Sequence, residues 1–189
     1  MILVIDTSSS TAGVALLGDS PQEHLVSSRS HELLPLLRRI VAENTVHRVA
    51  VATGPGSFTG LRVGVSFALG LAVGLKIPIV PLPSLGLQAA RADKPVTAVV
   101  EAGRGRFYFQ PPEGDATLGE PSDMPPAYPI AGRLSTAGEA ALRGAGLRLV
   151  PEDQLRTFGH AAAILLETAN EVAYGSLEIE YMQSFRARG

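Results

Sequence analysis

Apolar and polar positions fall into short blocks along the first half of the chain. Met1 to Ile5 is an apolar run that ends at Asp6 and predicts a buried strand. Asp6-Thr7-Ser8-Ser9-Ser10 predicts a polar turn, and Thr11 to Leu17 a second strand. Gly18-Asp19-Ser20-Pro21 is a second turn, and Glu23 to Arg29 a third strand. Leu33, Leu34, Leu37, Ile40 and Val41 then repeat at helical spacing, from an N-cap at Ser30 through Asn44. Pro35 either kinks this helix or marks its first turn. His47 to Thr53 returns to a strand pattern.

The next stretch, Thr53 to Arg62 (TGPGSFTGLR), stands at a strand-to-helix corner. Its glycines let the backbone turn sharply and come close to whatever lies above it. A helix starting near Ser57 or Phe58 points free N–H groups out of that corner, where anions or a partner's polar groups could dock. The candidate corner residues are Asp6, Thr7, Ser8, Gly54, Gly56 and Ser57. The spacing fits neither a dinucleotide fingerprint nor a P-loop: Gly60 comes one residue late, and Leu61 stands where a P-loop has lysine. The helix behind it is apolar almost all round. Gly60, Gly64, Ala68 and Ala72 form a stripe of small residues, with Leu61, Val65, Leu69 and Val73 beside it. Such a stripe admits a close neighbour. Arg62 and Lys76 bracket too short a run for a membrane span, and three prolines follow.

Ile79 to Leu82 predicts a short strand and Ser84 to Arg91 a short helix. Val96 to Val100 and Phe107 to Phe109 predict strands around Gly103-Arg104-Gly105. Gln110 to Ala127 reads as loop, Thr136 to Arg143 as helix and Leu147 to Val150 as strand. His160 to Tyr174 reads as an Ala-rich helix closed by Gly175. The element order implies an α/β fold in two lobes, residues 1–94 and 95–189, with helix 160–174 packing back on the first.

Composition narrows the function. Charged residues are 18% of the 189, and the net charge is −2. A surface short of charge suggests cover by another chain, and the balance argues against unaided nucleic-acid binding. Without cysteine there is no disulfide, thiolate metal site or cysteine nucleophile, which suits the cytoplasm. Met1 to Asp6 lacks a basic region before its apolar run and reads as a strand, not a signal peptide. His24, His31, His47 and His160 have no spacing that makes a helical metal pair. Ser57 does not lie in a Gly-x-Ser-x-Gly elbow.

Three segments together resemble the TsaB family, formerly called YeaZ: Met1–Leu17, Ser30-His31-Glu32-Leu33-Leu34-Pro35, and Thr53–Arg62. The resemblance covers about the first 90 residues. It implies an α/β fold of the actin/sugar-kinase-like (ASKHA) type, with a small and degenerate second lobe. It also implies a non-catalytic partner of TsaD, the threonylcarbamoyl transferase, joined by the ATPase TsaE, in making threonylcarbamoyladenosine on tRNA beside the anticodon. The catalytic paralogue carries a metal-binding histidine pair, and those positions fall here on Ser84 and Gln88. No metal ligands, catalytic residues or cofactor are therefore expected in this chain alone, and tRNA is met only through the complex. ASKHA ATPases clamp phosphates between two hairpins. Asp6, Thr7 and Ser8 supply half of such a clamp, so ATP or ADP would sit only at the joint with the partner. The expected interface is formed by helices 30–44 and 57–74 together, pairing with the same two helices of a partner through Leu33, Leu37, Ile40, Gly60, Gly64, Ala68 and Ala72, giving a homodimer alone and a heterodimer with TsaD. The alternative is a peptidase-like or ATP-binding protein acting alone. Two departures from the family are Glu101-Ala102-Gly103-Arg104 in place of Asp-Ala-Arg, and the ending Tyr181–Arg186.

Overall fold

The computed structural model describes residues 1–19, 21–27 and 31–181. Ser30, Arg29 and the Met182–Arg186 part of the family ending lie outside the described residues.

The first sheet has the order β3-β2-β1-β4-β5. Its strands are β1 (Ile2–Asp6), β2 (Thr11–Leu17), β3 (Gln22–Ser27), β4 (Arg48–Gly54) and β5 (Ile79–Pro83). The first three form an antiparallel meander, and β1 pairs in parallel with β4, which pairs in parallel with β5. Side chains alternate between faces, as the strand period of two requires. Leu3, Ile5, Val14, Val49 and Val51 face α1 (Leu33–Glu43) and α2 (Phe58–Leu75). Val4, Ala15, Ala50, Val80 and Leu82 face the opposite way, against α3 (Ser84–Ala89) and α5 (Phe158–Leu166). The sheet is thus covered by helices on both faces, and its central strands are continuous apolar runs.

The second sheet, β8-β7-β6-β9, repeats part of this order. β6 (Thr97–Gly103), β7 (Arg106–Gln110) and β8 (Thr117–Gly119) are an antiparallel meander, and β6 pairs in parallel with β9 (Ile130–Ala131). Val99, Phe107 and Phe109 pack with Leu142 of α4 (Thr136–Gly144) on one face. Val100 and Tyr108 pack on Leu85 of α3 on the other. α3 is therefore a wedge between the sheets: Leu85 belongs to the second core and Leu87 to the first.

Several expectations need correction. α1 begins at Leu33, with Glu32 at the N-cap position, and Pro35 lies in its first turn, where a missing N–H costs nothing. The 110–127 stretch holds β8 and a 3₁₀ turn at Pro121–Asp123, fastened by the Glu120 N–H donating to Asp123 Oδ2 at 2.7 Å. Thr-Leu-Gly is too short to show a period, and it forms a strand because Phe107–Phe109 offers an edge. Leu149 makes one bridge to Ile130 in place of a strand. The last helix ends at Leu166, not Tyr174. Val172 instead donates its N–H to Ile79 O at 3.0 Å, so the edge of β5 claims that segment.

Candidate functional site

Two loops zip together at the glycine corner. The turn after β1 presents Asp6, Thr7 and Ser8, all buried, and the corner after β4 presents Gly54, Gly56 and Ser57. Asp6 Oδ1 accepts from the Ser8 N–H at 2.9 Å and shapes the turn. Ser8 O accepts from the Ser57 N–H at 2.7 Å, and Thr7 Oγ1 donates to Gly60 O at 2.7 Å. Ser57 Oγ is the N-cap of α2 and accepts from the Gly60 N–H at 3.3 Å. The six candidate residues are brought together, and one N–H at the start of α2 is spent on the neighbouring loop.

Glycine is required here by close approach. A Cβ at Gly60 would lie 2.0 Å from Thr7 O, one at Gly64 2.2 Å from Thr7 Oγ1, and one at Gly56 2.6 Å from Ser8 O. Gly54, at φ +121°, adopts a conformation side chains rarely take, and Glu180 O covers it. The Glu180 N–H donates to Thr53 O at 2.8 Å, so the described end of the chain lies over the corner. Tyr181 extends this contact. Its ring lies 5.2 Å from that of Phe58, and its hydroxyl accepts from Arg62 Nε at 3.2 Å.

The small-residue stripe does not face outward. Gly64, Ala68 and Ala72 are buried on the chain's own sheet and loop, as are Leu33, Leu37 and Ile40 of α1. Apart from Gly60, which is half-buried against Thr7, the expected interface residues are buried, because a sheet of β-branched residues accepts a helix most closely through its smallest side chains. The open side of the two helices is a different set, which the sequence reading missed. Leu34 is 46% exposed, Val63 52% and Val73 49%, and a Cβ added at Gly70 or Gly74 would meet no neighbouring element within 4 Å. Leu34, Pro35, Val63 and Phe67 line a groove of about 370 Å³ between the helices, and Arg38 borders a second one with Ser66 and Gly70. The available signal was a helix apolar all round: its exposed positions had to be apolar too. By length and mean hydropathy of 1.6, α2 could also cross a bilayer, but it lies against β4, β1 and β5.

A second polar cluster lies between the sheets. Ser84 and Gln88 of α3 are both buried. Ser84 Oγ accepts from the Gly54 N–H at 3.2 Å, and Gln88 Oε1 accepts from the Arg133 N–H at 3.1 Å and from Arg91 Nη1 at 3.5 Å. Arg91 is buried and paired with Glu152. The Arg133 guanidinium reaches back to the first sheet, 4.0 Å from Asp6 Oδ2 and 5.1 Å from the Phe158 ring. Burial lowers the Arg133 pKa, and Asp6 opposes this. Glu101 Oε1 accepts from the N–H and hydroxyl of Ser135 at 3.1 and 2.7 Å and so holds the start of α4. Among the described residues, no three histidine, aspartate or glutamate side chains converge on a metal position.

The family model described as TsaD, tRNA N6-adenosine threonylcarbamoyltransferase, matches residues 25–123, just over half of the 189. The chain is 35% identical over 122 residues to the tRNA threonylcarbamoyladenosine biosynthesis protein TsaB of Haemophilus influenzae, covering 57% of this chain and 52% of that protein. The TsaB proteins of Bacillus subtilis and Escherichia coli are 35% and 31% identical over 120 and 127 residues, each covering 57% of this chain and 52% and 53% of those proteins. The chain spans about half the length of the curated relatives it matches. The solved structure of YeaZ from Pseudomonas aeruginosa superposes with a TM-score of 0.70 at 23% identity, over 96% of this chain and 99% of that one. A second structure, described as an uncharacterized protein with similarity to peptidase YeaZ from the same organism, gives 0.73 at 23%, with the same coverage. These two show the fold, and the sequence matches carry the family. Together with the glycine corner and the two helices it anchors, they place the chain in the TsaB (YeaZ) family.

Proposed function

We propose that this chain is a non-catalytic partner subunit in tRNA threonylcarbamoyladenosine biosynthesis. It binds TsaD, with TsaE joining the pair, and supports the modification of the tRNA adenosine next to the anticodon. The observation that carries this reading is the open apolar face of α1 and α2. Leu34, Val63 and Phe67 offer exposed or half-exposed hydrocarbon in one region, with Arg38 at its rim, and Val73 is exposed further along α2. A contiguous face of this kind marks a protein–protein contact. The fold reads as ASKHA-like with a reduced second lobe, since β8-β7-β6-β9 repeats β3-β2-β1-β4 and lacks a fifth strand among the described residues.

The positions that the resemblance aligns with the catalytic paralogue's histidines support a non-catalytic role. Ser84 and Gln88 are spent on hydrogen bonds with Gly54, Arg91 and Arg133, and neither is an imidazole. Ser57 is spent as a helix cap, which counts against the peptidase alternative. Free of TsaD, the chain pairs with a second copy through the same face. ATP or ADP enters only at the joint with TsaD, tRNA only through the complex, and the setting is the cytoplasm.

Co-expression with TsaD from the same organism tests the reading. A complex that survives size-exclusion chromatography and is lost on Val63→Asp is the expected result. If TsaD elutes alone at micromolar concentrations of both proteins, the proposal fails.

A further inference from the structure

We propose that Arg133 is the internal ligand of the cleft between the two sheets: its guanidinium fills the place opposite Asp6 that a charged cofactor would take, and it fixes the sheets at one separation. The hairpin β1–β2 is the half-clamp that an ASKHA fold turns toward nucleotide phosphates. In this chain the cleft side of that hairpin is already occupied. Arg133 is 8% exposed and Asp6 fully buried, and Nη1 lies 4.0 Å from Asp6 Oδ2. The same Nη1 donates weakly to Thr11 O at 3.5 Å. A Cβ at Gly13 would lie 2.8 Å from Nη1 and 3.0 Å from the Phe158 ring, so β2 needs glycine there to admit the guanidinium. Phe158 stacks under the cation at 5.1 Å.

The arrangement joins three elements that are far apart in sequence. Arg133 follows β9 of the second sheet, Asp6 ends β1 of the first, and Phe158 begins α5. The Arg133 N–H is tied to Gln88 on the wedge helix α3. Asp6 Oδ2 and Arg133 Nε are buried without a hydrogen bond, so the two meet as charges across low dielectric. A nucleotide phosphate could enter only by displacing a stacked, enclosed cation and leaving Asp6 unpaired. The cleft residues therefore do not fit a nucleotide, and the rigid spacing they impose suits a subunit that presents a fixed face to a partner.

The isolated full chain tests this with Arg133→Met, Arg133→Lys, Asp6→Asn and the Asp6→Asn/Arg133→Met double variant. Urea unfolding of the two neutralising single variants should shift the equilibrium well toward the unfolded state. The double variant should recover part of that loss, with a coupling of about tenfold or more in the equilibrium constant. Arg133→Lys should retain more stability than Arg133→Met. The other charges facing Arg133 are Arg91, Glu23 and Glu152, and they are unchanged in all four proteins. In Arg133→Met, Asp6 has lost its counter-charge and stays fully buried without one. The deficit of Arg133→Met against wild type should therefore exceed that of the double variant against Asp6→Asn, which a packing role alone would not produce. Titration of the wild-type chain with Mg·ADP and Mg·ATP should give no saturable binding at millimolar nucleotide. Additive single losses would overturn the proposal. Nucleotide binding by wild type that disappears in Arg133→Met would overturn it too, and would make Arg133 a phosphate ligand. If Arg133→Met does not fold, Arg133→Lys, Asp6→Asn and the nucleotide titration still decide.

Discussion

Gly60 and Gly64 set how near α2 can come to the turn after β1. The Thr7 hydroxyl and carbonyl fill the space a side chain would need at either position. Gly60→Ala must push the turn away and break the Thr7–Gly60 bond, at about 1–3 kcal/mol. Gly64→Leu should cost more than that and abolish cooperative unfolding, seen in thermal melts of the dilute chain. Its effect is thus on folding before association, the reverse of what an outward stripe predicts. Gly70 gives the opposite outcome, because nothing lies near it. Gly70→Ala should stabilise the dilute chain by about 0.5–1 kcal/mol through helix propensity, read from the urea midpoint. Gln88 is as constrained as the glycines. Gln88→Ala leaves the buried Arg133 N–H without an acceptor and should cost about 1–3 kcal/mol.

At the scale of elements, α1 and α2 are amphipathic in different senses. α1 has a buried stripe and a polar back, with Arg38 and Arg39 exposed. α2 buries Leu61, Gly64, Val65, Ala68 and Ala72 and leaves uncharged positions open on the other side. Val63→Asp and Val73→Asp should each weaken self-association or TsaD binding at least about tenfold, measured by sedimentation or calorimetry, because an unpaired carboxylate is buried at the contact. The melting temperature of the dilute chain should move by only a few degrees, since both sites are half-exposed already. The strands and helices of the first 91 residues were legible, where described, because period and punctuation agree there: apolar runs, turns at residues 7–10 and 18–19, and a serine cap at the glycine corner. Which side of α2 faces inward was not legible. Small and large apolar residues alternate round the helix, and only the position of Thr7 decides between them. Arg133 left no signal either, because its partners Asp6, Gln88 and Phe158 come from three distant segments.

For the whole molecule, the shared order of the two sheets has no counterpart as a sequence repeat, because order depends on pairing and not on side-chain identity. The last helix was misread for a related reason: local propensity favours continuing past Leu166, while the edge of β5 offers Val172 a partner. α5 lies 75 residues after the end of β5, and it covers the face of the first sheet formed by Val4, Ala15, Ala50, Val80 and Leu82. A chain truncated after Pro151 keeps both sheets and α3 but loses the cover that α5 gives. It should bind a hydrophobic dye and aggregate; a monomeric product with a sharp melt would contradict this. On the ribosome the same feature becomes a matter of time. At about 5–20 residues per second, roughly 4–15 s separate the emergence of β5 from that of α5. Throughout that interval only α3 covers this apolar surface of the nascent sheet, and a holdase has a window in which to bind the rest.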